Sequence, residues 1–226
     1  MYDIVFISYQ EPNADEGYAE LKERFPMAKR VHGVKGIHQA HIAAAKKCFT
    51  KMFWVVDGDA KVLDDFDFGF MPEKRNENVV HVWRSKNPVN NLEYGYGGVK
   101  LLPRRLTLEL DENTTDMTTS ISNRFRAMEQ VSNVSIFNTN EFNTWKSAFR
   151  ECVKLSSKVI DRGDDKETDS RLNVWCTVGK DKLYGEYAIK GAIAGKEYGS
   201  ANKGNQEKLK LINNFEWLKE HYDNTI

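Results

Sequence analysis

The sequence predicts an α/β chain whose parallel sheet is covered on both faces, and three observations predict it. Apolar, β-branched runs alternate with helical patterns in the order β-α-β-α-β over the first sixty residues or so. The strand candidates are almost continuously apolar, as strands buried on both faces must be. The tail of the chain reads as helices. Ligands of parallel sheets bind beyond the carboxyl ends of the strands.

Each element follows from a local pattern. "DIVFISY", residues 3–9, is a buried strand closed by Glu11-Pro12. In "NADEGYAELKERFP", Tyr18, Leu21 and Phe25 recur at helical spacing, and Pro26 stops the pattern. "AKRVHGV" supplies the second strand. "GIHQAHIAAAKKCF" places Ile37, Ala40, Ala44 and Cys48 on one helical stripe. "KMFWVVDGDA" is the third strand, and it ends in Asp57-Gly58-Asp59. "VVHVWRS" and "GGVKLLP" predict further strands. "TTDMTTSISNRFRAM" predicts a helix with Thr115 or Asp116 near its start. "NEFNTWKSAFRECVKL" puts Phe142, Trp145, Phe149 and Val153 on one helical face. Residues 161–170, "DRGDDKETDS", lack apolar side chains and predict an exposed loop. Helices are expected over 168–178, 182–195 and 205–222, the last with a stripe of Leu209, Ile212, Phe215 and Leu218. "GKEYGSANKGN", residues 195–205, predicts a glycine-punctuated loop.

The totals bound the function. At 226 residues and 40% hydrophobic, the chain suffices for one compact domain or one with a small appendage. Lys+Arg 33 balance Asp+Glu 33, so no global field draws the protein onto nucleic acid or an anionic membrane, although a local basic face remains compatible with that sum. Cys48, Cys152 and Cys176 are far apart and form no CxxC or zinc spacing, which predicts a reducing cytoplasm. The start has no signal-peptide pattern, and no apolar run reaches bilayer length. The expectation is a cytoplasmic protein with no membrane partner and no predicted protein partner.

The DGD segment carries the chemistry. Like charges one residue apart raise each other's pKa unless a cation neutralises them. Hard oxygen ligands suit Mg²⁺ or Mn²⁺, which bridge carboxylates to substrate phosphates. The competing reading is a hairpin, since Asp-Gly is a strong two-residue turn and "KVLDDFDF" can be the returning strand. The β-α-β-α-β unit ahead favours the metal, because it sets the pair where nucleotides bind. Lys35, Gly36, His38 and Gln39 lie at a strand-to-helix junction, where free N–H groups bind anions. A plain helix start explains them equally well. His38 and His41 share a helical face and form an alternative metal pair.

"FWVVDGDA" resembles the DxD element of glycosyltransferases with the GT-A fold. "YGYGGVKLLP", residues 94–103, is similar to the glycine-rich acceptor-side loop of that fold. "TTDMTTS" lies where the family often carries an acidic residue at a helix start, which matches Asp116. With "MYDIVFISYQEPNADE" and "KRVHGVKGIHQAHIAAA", the chain further resembles phage glycosyltransferases that modify 5-hydroxymethylcytosine in DNA, including those that use arabinose.

The resemblance implies a single GT-A-like domain over 1–226. Residues 1–65 would form the Rossmann-like nucleotide-sugar-binding half, 66–160 the acceptor-side half of a mixed central sheet, and 161–226 a helical extension. It implies transfer of arabinose or glucose from a UDP-sugar to hydroxymethylated cytosine in double-stranded DNA, with Mn²⁺ or Mg²⁺, in the host bacterial cytoplasm. Asp57 would face the nucleotide and Asp59 would ligate the metal more directly, with His221 as the late histidine ligand. Ser8, Tyr9 and Glu11 would line the base and ribose, and Lys35, His38, Gln39 and Gly58 the rest of the donor. Tyr94, Tyr96, Gly97, Gly98 and Lys100 would meet the acceptor. Asp116 would be the general base of an inverting reaction, although helix capping alone also explains it. Two other functions stay open: transfer to a carbohydrate or protein acceptor, which the neutral net charge favours, and a non-enzymatic nucleotide- or nucleic-acid-binding module.

Overall fold

In a computed structural model, residues 1–95, 97–112, 117–158 and 164–226 are described. The chain is α/β, with a mixed, curled sheet and helices in its C-terminal part, an arrangement consistent with a Rossmann-like fold. It divides into two compact units, residues 1–86 with 93–136 and residues 87–92 with 137–226.

The first unit opens with β1 (Asp3–Ser8), α1 (Ala14–Arg24), β2 (Lys29–His32), α2 (Ile37–Lys47) and β3 (Met52–Asp57). β1 pairs in parallel with β2 and with β3. Alternate side chains serve two cores, as the two-residue period of a strand dictates. Ile4, Phe6, Trp54 and Val56 pack with Leu21 of α1 on one face. Val5, Phe53 and Val55 pack with Ala44 and Ala45 of α2 on the other. The expected parallel β-α-β-α-β unit is therefore present, although Ile37 of the predicted stripe is exposed.

The chain continues through β4 (Ala60–Val62), β5 (Val80–Lys86), β6 (Glu93–Tyr94), β7 (Val99–Pro103), the short helices α3 (Arg104–Leu108) and α4 (Met117–Ile121), and β8 (Phe125–Ser135). The sheet order is β2-β1-β3-β7-β5-β8-β4, with β6 beside β5. The parallel run β2-β1-β3 ends at β3, whose other neighbour, β7, is antiparallel. β4 pairs with β8, so the returning strand of the hairpin reading is not formed. The distance from Asp57 to Ala60 is at most about 11 Å along the chain. Flat, the four strand spacings between β3 and β4 would measure about 19 Å. The sheet must curl to close that gap. Between residues 62 and 72, Phe66 and Phe68 pack edge-on against Trp54, and Arg24 donates to the carbonyls of Leu63, Asp64 and Phe66.

The helix predicted across 114–128 is largely replaced by a strand. Only Met117–Ile121 is helical among its described residues, and β8 then pairs in parallel with β5 from Phe125 to Val134. Pairing to a sheet that lacked a neighbour overrides the helical propensity of "RFRAMEQ".

The second unit holds α5 (Glu141–Ser157), α6 (Asp165–Thr177), α7 (Gly185–Ala201), α8 (Gln206–Lys210) and α9 (Phe215–Thr225). The expected loop at 161–170 is helical from Asp165, because Asp164 caps α6 and Asp165 and Glu167 complement its dipole. The expected loop at 195–205 is helical to Ala201. Gly191, Gly195 and Gly199 press on the carbonyls of Trp145, Phe149 and Val153, where any β-carbon would clash. Matching four-residue steps on both sides mean that α5 and α7 run parallel in backbone contact. The helix expected over 205–222 breaks at Asn214, whose side chain accepts from the Glu216 and Trp217 amides, and Phe215 is consequently exposed.

Candidate functional site

The carboxyl ends of β1 and β3 meet at the DGD corner. Asp57 is the last residue of β3, and its amide donates to the Gly98 carbonyl at 2.9 Å. The Asp59 carbonyl accepts from the Ile136 amide at 2.6 Å, so the corner is pinned at both sides. Gly58 is required by close approach. A β-carbon there would stand 2.7 Å from Oε2 of Glu11 and 3.0 Å from Cβ of Ser8. Glu11 is held in place by the Tyr9 amide, which donates to its Oε2 at 2.7 Å. A third carboxylate thus joins Asp57 and Asp59.

One buried cation answers them. Lys100 lies opposite Val55 in the β3–β7 register, on the same face as Asp57 two residues further on. Its ammonium donates to Oδ2 of Asp57 at 2.6 Å and to the Gly97 carbonyl. The Lys100 side chain is 4% exposed and that of Asp57 34%. Asp59 enters no ion pair among the described residues. Burial raises the Asp57 carboxyl, Lys100 opposes the rise, and Glu11 adds to it. Asp59 is pushed up to about 6, first by burial and then by the charges of Asp57 and Glu11. One ammonium against three carboxylates leaves an excess of negative charge.

That excess is the test of fit for a divalent ion. The donors are hard oxygens, as Mn²⁺ or Mg²⁺ prefers. Among the described residues no three His, Cys, Asp or Glu side chains are already converged as a metal shell. A two-carboxylate site completed by water and phosphate needs no such shell. Asp57 and Asp59 therefore fit the ion.

Around the corner, polar atoms lie buried without partners among the described residues: Oδ1 of Asn13, Nε2 of His38 and Nε2 of His41. All three belong to the segments leaving the carboxyl ends of β1 and β2. His41 is 2% exposed, and its Nδ1 hydrogen goes to the Ile37 carbonyl at 2.8 Å. Its Nε2 is therefore a bare lone pair. Burial first, then the Lys100 charge, lower the imidazole to about 3, so it is neutral. α2 starts at Gly36 with φ +96° and no side-chain cap, leaving its first amides for an anion. Lys35 is exposed beside them, and Gln39 donates to Oε2 of Glu112 at 2.6 Å.

Two groups here escaped the sequence reading. Arg30 donates through Nε to Oγ of Ser8 at 3.0 Å and through Nη1 to Asp15 at 2.6 Å. Nδ1 of His32 lies 3.0 Å from the Ser8 hydroxyl and 3.3 Å from Nη2 of Arg30. A guanidinium only donates, so Nδ1 accepts and the exposed edge of His32 carries N–H. The cue in the sequence was alternation in "KRVH", which sends Arg30 and His32 to one face.

The remaining expected residues are distributed. Tyr94 is buried on β6, and Lys100, expected at the acceptor loop, lies beneath it. Gly97 has φ +79°, and Gly98 abuts Nδ2 of Asn133, 2.6 Å from where a β-carbon would be. Asp116 and Tyr96 lie outside the described residues. His221 belongs to the second unit, stacked on Trp217 at 4.8 Å and flanked by Trp145, Phe149 and Tyr198. No protein-family model matches the chain, and no curated protein matches it. Among the described residues, no helix is long and apolar enough to cross a membrane.

Proposed function

We propose that the chain is a metal-dependent glycosyltransferase of GT-A type, moving a sugar from a UDP-sugar to 5-hydroxymethylcytosine in DNA. One observation carries the reading: the DGD corner, at the carboxyl end of a parallel sheet, gathers three carboxylates around a single ammonium. Such sheets bind nucleotides where the strand order reverses, which here is between β1 and β3, whose carboxyl ends flank the corner. Asp57 and Asp59 would hold the cation, which when bound neutralises charge on the departing diphosphate. The uncapped start of α2, with Lys35, supports binding of a phosphate. Glu11 orders the loop after β1, setting Tyr9 for stacking on the base. The exposed N–H of His32 adds a directed donor beside that loop.

The acceptor is supported by the resemblance and by local charge. Arg124 and Arg126 are exposed at the start of β8, and Nη2 of Arg124 reaches the carbonyl of exposed Arg75. Arginines spaced this way suit phosphate contacts. A stacked base must be extruded before its hydroxymethyl group can react, and Asp116 would take the proton of that hydroxyl if the reaction inverts.

The test is mass spectrometry of hydroxymethylated duplex DNA incubated with the protein, Mn²⁺ and a panel of UDP-sugars. A pentose or hexose mass added to the modified base is the expected result. Mn²⁺-dependent UDP release with unmodified DNA would move the acceptor to a carbohydrate or protein, the reading that the zero net charge favours. An unchanged donor pool with every acceptor, at every metal, would overturn transferase activity.

A further inference from the structure

Lys100 occupies the carboxylate that a cation would need. Its ammonium, on a side chain only 4% exposed, sits 2.6 Å from Oδ2 of the one-third-exposed Asp57, and a second N–H is spent on the Gly97 carbonyl. An ammonium has three hydrogens, so one remains to be placed. A lone-pair acceptor without a donor lies on the helix packed over the same sheet face. Nε2 of His41 is shielded from solvent and unpartnered, while Nδ1 is committed to the Ile37 carbonyl. α2 covers Val55 through Ala44 and Ala45, and Lys100 stands opposite Val55. Burial first, and the Lys100 charge second, keep the His41 imidazole neutral and able to accept.

From these contacts we infer that Lys100 is the resident counter-ion of Asp57, displaced by the divalent cation, and that Nε2 of His41 receives its ammonium. The inference rests on reading the DGD corner as a cation site. It assigns two positioning residues, one on β7 and one on α2, neither of which touches the reacting atoms. Without a place for the ammonium, cation entry would leave a buried positive charge beside a second one, which is strongly unfavourable. With His41 the exchange conserves a charge-assisted hydrogen bond. Lys100 thereby offsets part of the negative charge of the corner until a cation takes its place.

The experiment measures the affinity of the intact chain for Mn²⁺ alone, by electron paramagnetic resonance of the free ion, with no donor or acceptor present. Lys100→Gln should bind Mn²⁺ at least about 10-fold tighter than the unaltered chain, because the competitor is gone. His41→Leu should bind it several-fold more weakly, and His41→Gln, which keeps an acceptor, should recover most of the loss. In the Lys100→Gln background the His41→Leu effect should vanish, which is the signature of coupling between the two. Unchanged or weakened Mn²⁺ binding in Lys100→Gln, or a His41→Leu loss that persists in the double variant, overturns the inference while the cation site stands. No Mn²⁺ binding by the unaltered chain, with or without UDP, removes the cation site itself and the inference with it. Circular dichroism and thermal melting establish that each variant is folded. If Lys100→Gln does not fold, ¹⁵N NMR of the unaltered protein decides: Mg²⁺ should shift the His41 Nε2 resonance towards a hydrogen-bonded acceptor, and an unmoved resonance overturns the inference.

Discussion

Asp3 and Asp57 sit at opposite ends of neighbouring parallel strands in one sheet, and they live under opposite conditions. At the amino end, Asp3 receives Lys29 at 2.6 Å, the Phe49 amide at 2.7 Å and the Thr50 amide at 3.0 Å. Burial alone would raise its carboxyl, but these donors outweigh burial and hold it well below the usual carboxylate range. At the carboxyl end, Asp57 shares one ammonium with the field of Glu11 and Asp59, and both aspartates are raised. One end saturates a single carboxylate, whereas the other leaves three short of cations. Under the proposed cation site, the difference separates a structural carboxylate from one arranged for a ligand, since unspent electrostatic cost is what a binding cation would recover.

The strongest attack on that contrast is Asp59→Ala. It should lower metal-dependent transfer at least about 100-fold, while the melting temperature holds or rises, because an unpaired charge has been removed. Undiminished turnover with Mn²⁺ would place Asp59 with the structural carboxylates. Asp3→Ala is the mirror experiment. It should cost about 2 kcal/mol in stability by denaturant unfolding, since Lys29 and two amides lose their acceptor, yet leave Mn²⁺ affinity unchanged.

Proton linkage sharpens the contrast further. The folded pKa of Asp59 is raised, so its favourable contribution is complete below about pH 4 and is lost as pH rises through about 6. Asp59→Asn should therefore remove a fall in stability of roughly 2 kcal/mol across that window, seen as the difference between the two proteins' unfolding curves. For Asp3 the sign reverses. Its contribution is present above about pH 4 and disappears as pH falls below it, so Asp3→Asn should flatten the acid limb only. Matching pH profiles for the two variants would erase the distinction. The smallest expected effect belongs to the surface. Arg126→Glu should weaken DNA binding by a few-fold and reduce its salt dependence, measured by fluorescence anisotropy at two ionic strengths.

Much of the carboxyl-end site was legible because it is local. Asp57, Gly58 and Asp59 are consecutive, and the alternation ahead of them places them at a strand end. The helix over 141–157 was legible for the same reason, from its stripe of Phe142, Trp145, Phe149 and Val153. What failed to show depends on partners distant in sequence. Lys100 reads as an acceptor-loop lysine until the β3–β7 register brings it to Asp57, 43 residues away. Phe125 to Met128 read as helix until β5 offers them an edge. The glycines at 195 and 199 read as loop formers, because "small enough to touch a neighbouring helix" and "flexible" are the same letter in a sequence. Arg30 and His32 carried only a two-residue alternation, too short to mark a site.

The Asp57-Gly58-Asp59 corner, which leads from β3 into β4, has a consequence for biogenesis. Asp59 is fastened by the Ile136 amide, and Ala60 is paired with Ser135. Synthesis delivers Asp57 and Asp59 long before those anchors leave the ribosome. The emerging amino-terminal half can bury its apolar strands, yet its acidic turn must wait some seventy-five residues for fixation. Closure at a large sequence separation is slow, so fixation of the acidic turn should be one of the last events of maturation rather than accompany the strand that carries it.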